Sequence, residues 1–163
     1  MEKGAVISEC QNYRYSLWRI WDESKPLIGF IGLNPSTADH REDDKTISRC
    51  IKFADSWGAG GFYMINLFAY RATSPADMKK ANEPIGQGND KYLLELKNKV
   101  EKIVLCWGNG GLHQGRSKQV LELLQNDLYC IVTNKSGEPK HPLYIKGNAE
   151  LTISKKFLCT RQK

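Results

Sequence analysis

Leu27-Ile28-Gly29-Phe30-Ile31-Gly32-Leu33 is a run of seven residues without one polar side chain, and it constrains the fold more than any other stretch. A strand with one wet face alternates apolar and polar residues, whereas an unbroken apolar strand has to be covered on both faces. Seven residues are also far too few to cross a bilayer. Downstream, Ile47, Cys50, Ile51 and Ala54 recur at helical spacing, which predicts a helix over about 46–57 with Asp43 or Asp44 as its N-cap. Phe62 to Leu67 predicts a second strand. A helix over about 89–100 carries Leu93, Leu96 and Val100 on one stripe, and 102–107 reads as a third strand. Residues 117–124 read as a helix through Val120, Leu121 and Leu124, and 128–133 as a fourth strand. Parallel strands need crossover connections, and these helices supply them. The pattern predicts an α/β fold: a central, mainly parallel four-stranded sheet with helices on both faces, a three-layer α/β/α arrangement.

Ahead of Pro26 the pattern differs. Ala5 to Glu9 and Tyr13 to Trp21 are strand-like and meet near Gln11-Asn12, which is turn chemistry, so an N-terminal β-hairpin is expected. Tyr13, Tyr15, Leu17 and Trp21 fall on one face and Trp18 and Ile20 on the other. Both faces are partly apolar, so the hairpin is expected to pack against something larger. No repeat, low-complexity tract or linker divides the 163 residues. A single domain is expected, with the hairpin over 1–24, the core over 25–150 and a basic tail over 151–163. A chain of this length hides about 70% of its unfolded surface without disulfides or a structural metal.

Hydrophobic residues at 40% and charged residues at 26% argue against disorder. The N-terminus has no apolar segment of signal-peptide length. Five scattered cysteines, an odd number with no C-x-x-C pair, fit reduced thiols in a cytoplasmic protein better than a disulfide framework or zinc knuckle. The net charge of +6 is uneven, because residues 135–163 carry seven basic and two acidic groups. Such a segment suits a polyanionic partner such as nucleic acid, and equally serves as a solvated, solubilising tail.

In open parallel sheets ligands bind outside the carboxyl ends of the strands. The first strand leads into Gly32-Leu33-Asn34-Pro35-Ser36-Thr37-Ala38-Asp39, and the second ends at Asn66 and continues to Tyr70-Arg71-Ala72-Thr73. The third leads into Trp107-Gly108-Asn109-Gly110-Gly111, and the fourth runs through Thr133-Asn134 to His141-Pro142. Asn34, Asn66, Asn109 and His141 are thereby delivered to one edge. Amides and a neutral imidazole donate and accept hydrogen bonds without a fixed charge, which suits a planar, polar, neutral ligand such as a nucleobase. The glycine run at 108–111 matches neither the dinucleotide nor the Walker pattern. Trp18, Trp21, Trp57 and Trp107 are expected in the core. Asp39, His40, Asp43 and Asp44 form a second cluster, readable as ligands for a divalent metal or as a solvated loop that caps the following helix.

The strings GLNPSTAD (32–39), DDKTISRC (43–50), NLFAYRAT (66–73) and HPLY (141–144) closely resemble the family called domain of unknown function 1643. More distantly, Gly32-Leu33-Asn34-Pro35 is similar to the G-I-N-P motif in the mismatch-specific branch of the uracil-DNA glycosylase superfamily. Asn66 resembles that superfamily's base-reading Asn, Cys106-Trp107-Gly108 its Leu-Trp-Gly string, and His141-Pro142 the start of its last motif. The chain departs from it at Ser36, where the branch has Gly, and at Leu143-Tyr144, which replaces the Ser-Pro-Leu-Ser run that grips phosphates and probes duplex DNA. The paired cysteines of the iron–sulfur branches are absent.

This resemblance implies a glycosylase-like fold and an N-glycosidic hydrolase acting on a nucleobase in nucleic acid or a nucleotide; no cofactor is expected, and the short apolar runs predict no membrane partner. Asn34 would position water, Asp39 is the nearest candidate carboxylate, Asn66 would read the base edge, and His141 would donate to the departing base. Gly32, Pro35, Ser36, Arg71, Gly108 and Asn109 would complete the ligand site. Two other expectations stand beside it: a non-catalytic nucleotide or nucleic-acid binding module, and a metal-dependent hydrolase using Asp39, His40 and Asp43.

Overall fold

The apolar run forms the middle strand of the sheet, as its lack of polar residues requires. The computed structural model describes residues 1–125, 127–146 and 155–156. The chain opens with β1 (Glu2–Ile7) and β2 (Arg14–Ile20), followed by β3 (Leu27–Gly32), α1 (Lys45–Ser56) and β4 (Gly61–Asn66). Next come α2 (Pro75–Lys80), α3 (Asn89–Leu96), β5 (Lys102–Leu105), a 3-10 segment at Asn109–Gly115 and α4 (Arg116–Leu124). β6 (Leu128–Cys130), a 3-10 turn at Pro142–Tyr144 and β7 (Lys155–Lys156) complete the described elements.

The strands form one mixed sheet in the order β1-β2-β4-β3-β5-β6-β7. β4, β3, β5 and β6 pair in parallel, from Leu27 beside Gly61 to Leu105 beside Cys130. The expected four-stranded parallel sheet is therefore the middle of a larger, mixed one. The hairpin does not pack on the sheet but extends it: β2 pairs antiparallel with β4, from Leu17 opposite Met64 to Ile20 opposite Gly61. Its turn places Gln11 at φ 68°, and a bulge between Val6 and Ile7 absorbs the register shift. At the other edge β7 pairs antiparallel with β6. The rest of the basic tail expected over 151–163 lies outside the described residues.

Alternate residues of each central strand feed opposite cores. Ile28 and Phe30 of β3 join Phe62, Met64, Val104 and the inward residues of α1, Ile47, Cys50, Phe53 and Ala54. Ile31 joins Ile65, Ile103, Leu105 and the stripes of α3 and α4, including Leu93, Leu96, Val120 and Leu121. Asp44 caps α1, its side chain accepting from the Ile47 N–H at 2.9 Å. α3 ends at Leu96, short of Val100, because the chain closes there in tight turns, with Asn98 N–H donating to Glu95 O and Lys99 N–H to Leu96 O. β6 stops at Cys130, and Thr133 bridges to Pro139 instead. α2 has a signature in Ser74-Pro75-Ala76-Asp77: the Ser74 hydroxyl accepts from the Asp77 N–H at 3.2 Å, and Pro75 opens the helix.

Among the described residues no helix is long and apolar enough to cross a membrane. The four described cysteines are free; Cys10 is exposed, while Cys50, Cys106 and Cys130 are buried.

Candidate functional site

β3 connects through α1 to β4 on one side, and the chain then crosses to β5 on the other side of β3. α1 covers one face, while the connection after β5 leads to α4 on the opposite face. Loops leaving neighbouring parallel strands toward opposite faces open a crevice between them, the usual ligand position in such sheets. Here that crevice falls between Leu33-Asn34, after β3, and Trp107-Gly108-Asn109-Gly110, after β5.

It holds two contiguous spaces. An outer cleft of about 560 Å³ is lined by Asn34, Ser36, Thr37, Lys45, Thr73, Lys79 and the Trp107–Gly110 loop, among others. Beneath it an inner chamber of about 30 Å³ is lined by Arg14, Gly32, Pro35, Met64, Asn66 and further residues. Leu33, Asn34, Ser36, Asp44, Thr46 and His141 line both, and so mark the junction. The outer space is of a size that encloses a small molecule. The inner one has room only for a water or one exocyclic group.

Asn34 is fixed by its own amide: Nδ2 donates at 3.0 Å to Pro35 O and to Ala72 O, which stitches the loop after β3 to the loop after β4. That leaves Oδ1 as its acceptor. Asn66 is held from both sides. Its Oδ1 accepts from Arg14 Nη2 at 3.3 Å, and its backbone carbonyl accepts from Asn89 Nδ2 at 2.8 Å. Asn66 Nδ2 makes no hydrogen bond to a described residue and lies over Gly32, where a Cβ would come within 2.9 Å of it.

Gly108 packs beside His141 in the outer cleft. Gly108 sits at φ 73°, its N–H donates to Pro139 O at 2.7 Å, and a Cβ there would lie 3.4 Å from that of His141. The imidazole Nδ1 accepts from the Leu143 N–H at 3.2 Å, so the proton of the neutral ring is on Nε2, a donor. Burial pulls the His141 pKa below the usual histidine value, partly offset by the Asp44 carboxylate. Arg49 anchors the turn that follows, donating to Pro142 O at 3.3 Å and to Ile145 O.

The structure thus brings Asn34, Asn66 and His141 to the inner chamber, and Asn34, Ser36, Gly108, Asn109 and His141 to the outer cleft. Asn109 points its amide oxygen away, accepting from Asn134 Nδ2 at 3.0 Å and Ser136 Oγ at 2.6 Å. Arg71 lines neither space; its guanidinium donates to Gln11 O and ties down the hairpin turn. Asp39 lines neither as well. One of its oxygens accepts from the N–H groups of Arg41 and Glu42 at 2.8 Å each, and those bonds lower its pKa.

The acidic loop is organised around Arg19, whose guanidinium is fully buried. Arg19 donates to Asp43 Oδ1 at 2.7 Å, to Asp39 O at 2.7 Å and to Glu42 O at 3.2 Å. Among the described residues no group of three or more His, Cys, Asp or Glu is placed to hold a metal ion.

Arg14, Lys45 and Lys79 escaped the sequence reading, and Asp44 entered it in another role. Arg14 is only 2% exposed, with Nη1 donating to Ala38 O at 3.1 Å and Nε buried without a partner among the described residues. Burial lowers its pKa to about 10, which leaves it charged at neutral pH. Asp44, read as a helix cap, is also the carboxylate at the junction. Trp107 forms part of the cleft wall yet is fully buried, its Nε1 donating to Glu138 Oε1 at 3.2 Å.

The family model described as Protein of unknown function (DUF1643) matches residues 14–143. The chain belongs to that family. The matched span includes every residue that lines the inner chamber, from Arg14 to His141. No curated protein and no solved structure matches the chain.

Proposed function

We propose that this DUF1643 protein recognises a nucleobase-bearing ligand at the junction of cleft and chamber and hydrolyses its N-glycosidic bond, on a fold arranged like the uracil-DNA glycosylases. The observation that carries the reading is the convergence of Asn34, Asn66 and His141, from two loops and the end of β4, on one polar hollow. Cleaving an N-glycosidic bond builds an oxocarbenium-like sugar and an anionic base. A protein catalyses it by placing water, stabilising the cationic sugar and donating to the departing base.

Each requirement has a group to meet it. Asn34 Oδ1, its Nδ2 pinned by two carbonyls, accepts from a water and so orients it. Asn66 Nδ2 donates to the base edge in the chamber. His141 Nε2 donates to the charge that develops on the leaving base. Asp44, rather than Asp39, is the carboxylate within reach of the sugar, where its charge favours the oxocarbenium. The test is to incubate the purified protein with nucleotides, RNA and DNA bearing modified or mismatched bases and to measure free base. Release that falls about 10²-fold in His141→Ala supports the reading; no release from any of these substrates removes it.

One observation favours recognition without cutting. Both Asp44 oxygens already face backbone donors, Oδ1 the Ile47 N–H and Oδ2 the Ala38 N–H at 3.4 Å, so no carboxylate is wholly free to take a proton. Ligand binding that depends on Asn66 and His141, with no product formed, distinguishes this second reading.

A further inference from the structure

We propose that the outer cleft is a phosphate subsite, with Lys45 and Lys79 as its cations, so that the ligand is a phosphorylated nucleoside unit. This rests on the nucleobase reading above and adds the other end of the ligand.

The polarity of the crevice is graded. The inner chamber and junction offer amides, an imidazole and one carboxylate, Asp44, whose charge offsets that of the Arg14 guanidinium, itself turned to Ala38 O and Asn66 Oδ1. Lys45 and Lys79 line only the outer cleft. The two lysines come from different elements, the first turn of α1 and the last turn of α2. Neither forms an ion pair or a hydrogen bond with any described residue, in contrast to Lys3 and Lys25, which pair with Asp43 and Asp22. Ser36, Thr37, Thr46 and Thr73 line the same cleft, and none of their hydroxyls is bonded to a described residue. Two free ammonium groups and four free hydroxyls are donors for an oxyanion. Asp44 is the one carboxylate in the lining, and it lies at the inner end with both oxygens turned to backbone N–H groups.

A ligand that satisfies this gradient is neutral and polar at one end and anionic at the other. The chamber of about 30 Å³ takes an edge group of a ring, and the cleft of about 560 Å³ has room for the rest of a nucleotide. The anion is a phosphate monoester of a free nucleotide or a phosphodiester of a strand.

The experiment is calorimetric titration of the full chain with nucleosides, the matching 5′-monophosphates, ribose 5-phosphate and a short single-stranded oligonucleotide, repeated on Lys45→Ala/Lys79→Ala. The expected result is a monophosphate or oligonucleotide bound at least about tenfold more tightly than the nucleoside. The double variant should lose at least tenfold more affinity for the phosphorylated ligand than for the nucleoside. Preference for the oligonucleotide, with a salt slope that shrinks in the variant, assigns the phosphodiester; preference for the mononucleotide assigns the monoester. Equal binding of nucleoside and nucleotide, a phosphate gain that survives the double variant, or no binding of any phosphorylated probe overturns the inference. Lysine-dependent binding of ribose 5-phosphate that gains nothing from an added base leaves the phosphate site standing and removes the nucleobase reading.

Discussion

Arg14 Nη2 donates to Asn66 Oδ1 at 3.3 Å, and this bond decides which half of the Asn66 amide is left for a ligand. A free asparagine can flip and present either its oxygen or its nitrogen. With Oδ1 claimed by a buried cation, Nδ2 is the group presented, and the chamber selects for an acceptor.

Arg14 therefore links stability to recognition. Its fork also holds Ala38 O at 3.1 Å, so it bridges the loop after β3 and the end of β4. Lysine has the charge but not the planar fork, and it cannot make both bonds from one position. Arg14→Met leaves Ala38 O and Asn66 Oδ1 without their donor, at about 1–3 kcal/mol for each orphaned group. We expect Arg14→Lys to unfold at lower denaturant than the wild type and Arg14→Met at lower still. A wild-type midpoint for Arg14→Met would show that the bridge carries no stability.

Gly32→Ala separates the amide's position from the stability of the sheet. The backbone at Gly32 is ordinary, so alanine is not strained, but its Cβ would meet Asn66 Nδ2 at 2.9 Å and Met64 Sδ at 3.3 Å. Asn66 is pinned by Arg14 and Asn89 and cannot yield without breaking a bond. The variant should fold and lose ligand affinity by about tenfold or more, the size of one displaced hydrogen bond. Titration with the best wild-type ligand checks this, and undiminished affinity would mean that Nδ2 is not a recognition group.

How far the sequence anticipated this structure follows from how local each feature is. The alternation of strands and helices was legible because each element announces its own burial, as in the unbroken run that became β3. The cap at Asp44 was legible for the same reason, resting on residues three apart. The addition of the hairpin to the sheet was not, since β2 meets β4 across some forty residues and many registers satisfy its two half-apolar faces. Arg14, flanked by Tyr13 and Tyr15, reads as a solvated side chain. Its burial depends on partners 24 and 52 positions away. Asp39 misled in the opposite way: it is close to Asn34 in the chain, but two backbone amides and Arg19 hold its turn outside the hollow.

The cysteines divide by environment. Burial raises Cys50 well above an ordinary thiol and pushes Cys106 up to about 12, whereas hydrogen bonds from Ser8, chiefly, and Asn12 lower exposed Cys10. The thiolate is the nucleophile. Among the four described cysteines, alkylation of the native protein at neutral pH should label Cys10 first, and Cys50, Cys106 and Cys130 only in denaturant, as read by peptide mapping. Native labelling of Cys50 or Cys106 at the rate of Cys10 would contradict the packing of α1 on the sheet.

His141 gives the fold a pH dependence of definite sign. Burial disfavours its charged form, so its pKa is lower in the folded chain than in the unfolded one. Between those two values the unfolded chain binds the extra proton, and stability rises with pH wherever that holds. The contribution is complete above the ordinary histidine value near 6.5, falls as the pH drops through the folded value, and is flat below it. Asp44 limits the effect by favouring the imidazolium. Replacing His141 with Asn removes the titration, so the difference in melting temperature between wild type and His141→Asn should shift against the wild type as pH falls below 6.5. A difference that stays constant from pH 8 to pH 5 would mean that the imidazole is as solvated in the folded protein as in the unfolded chain, and that His141 does not stand at the wall of a buried hollow.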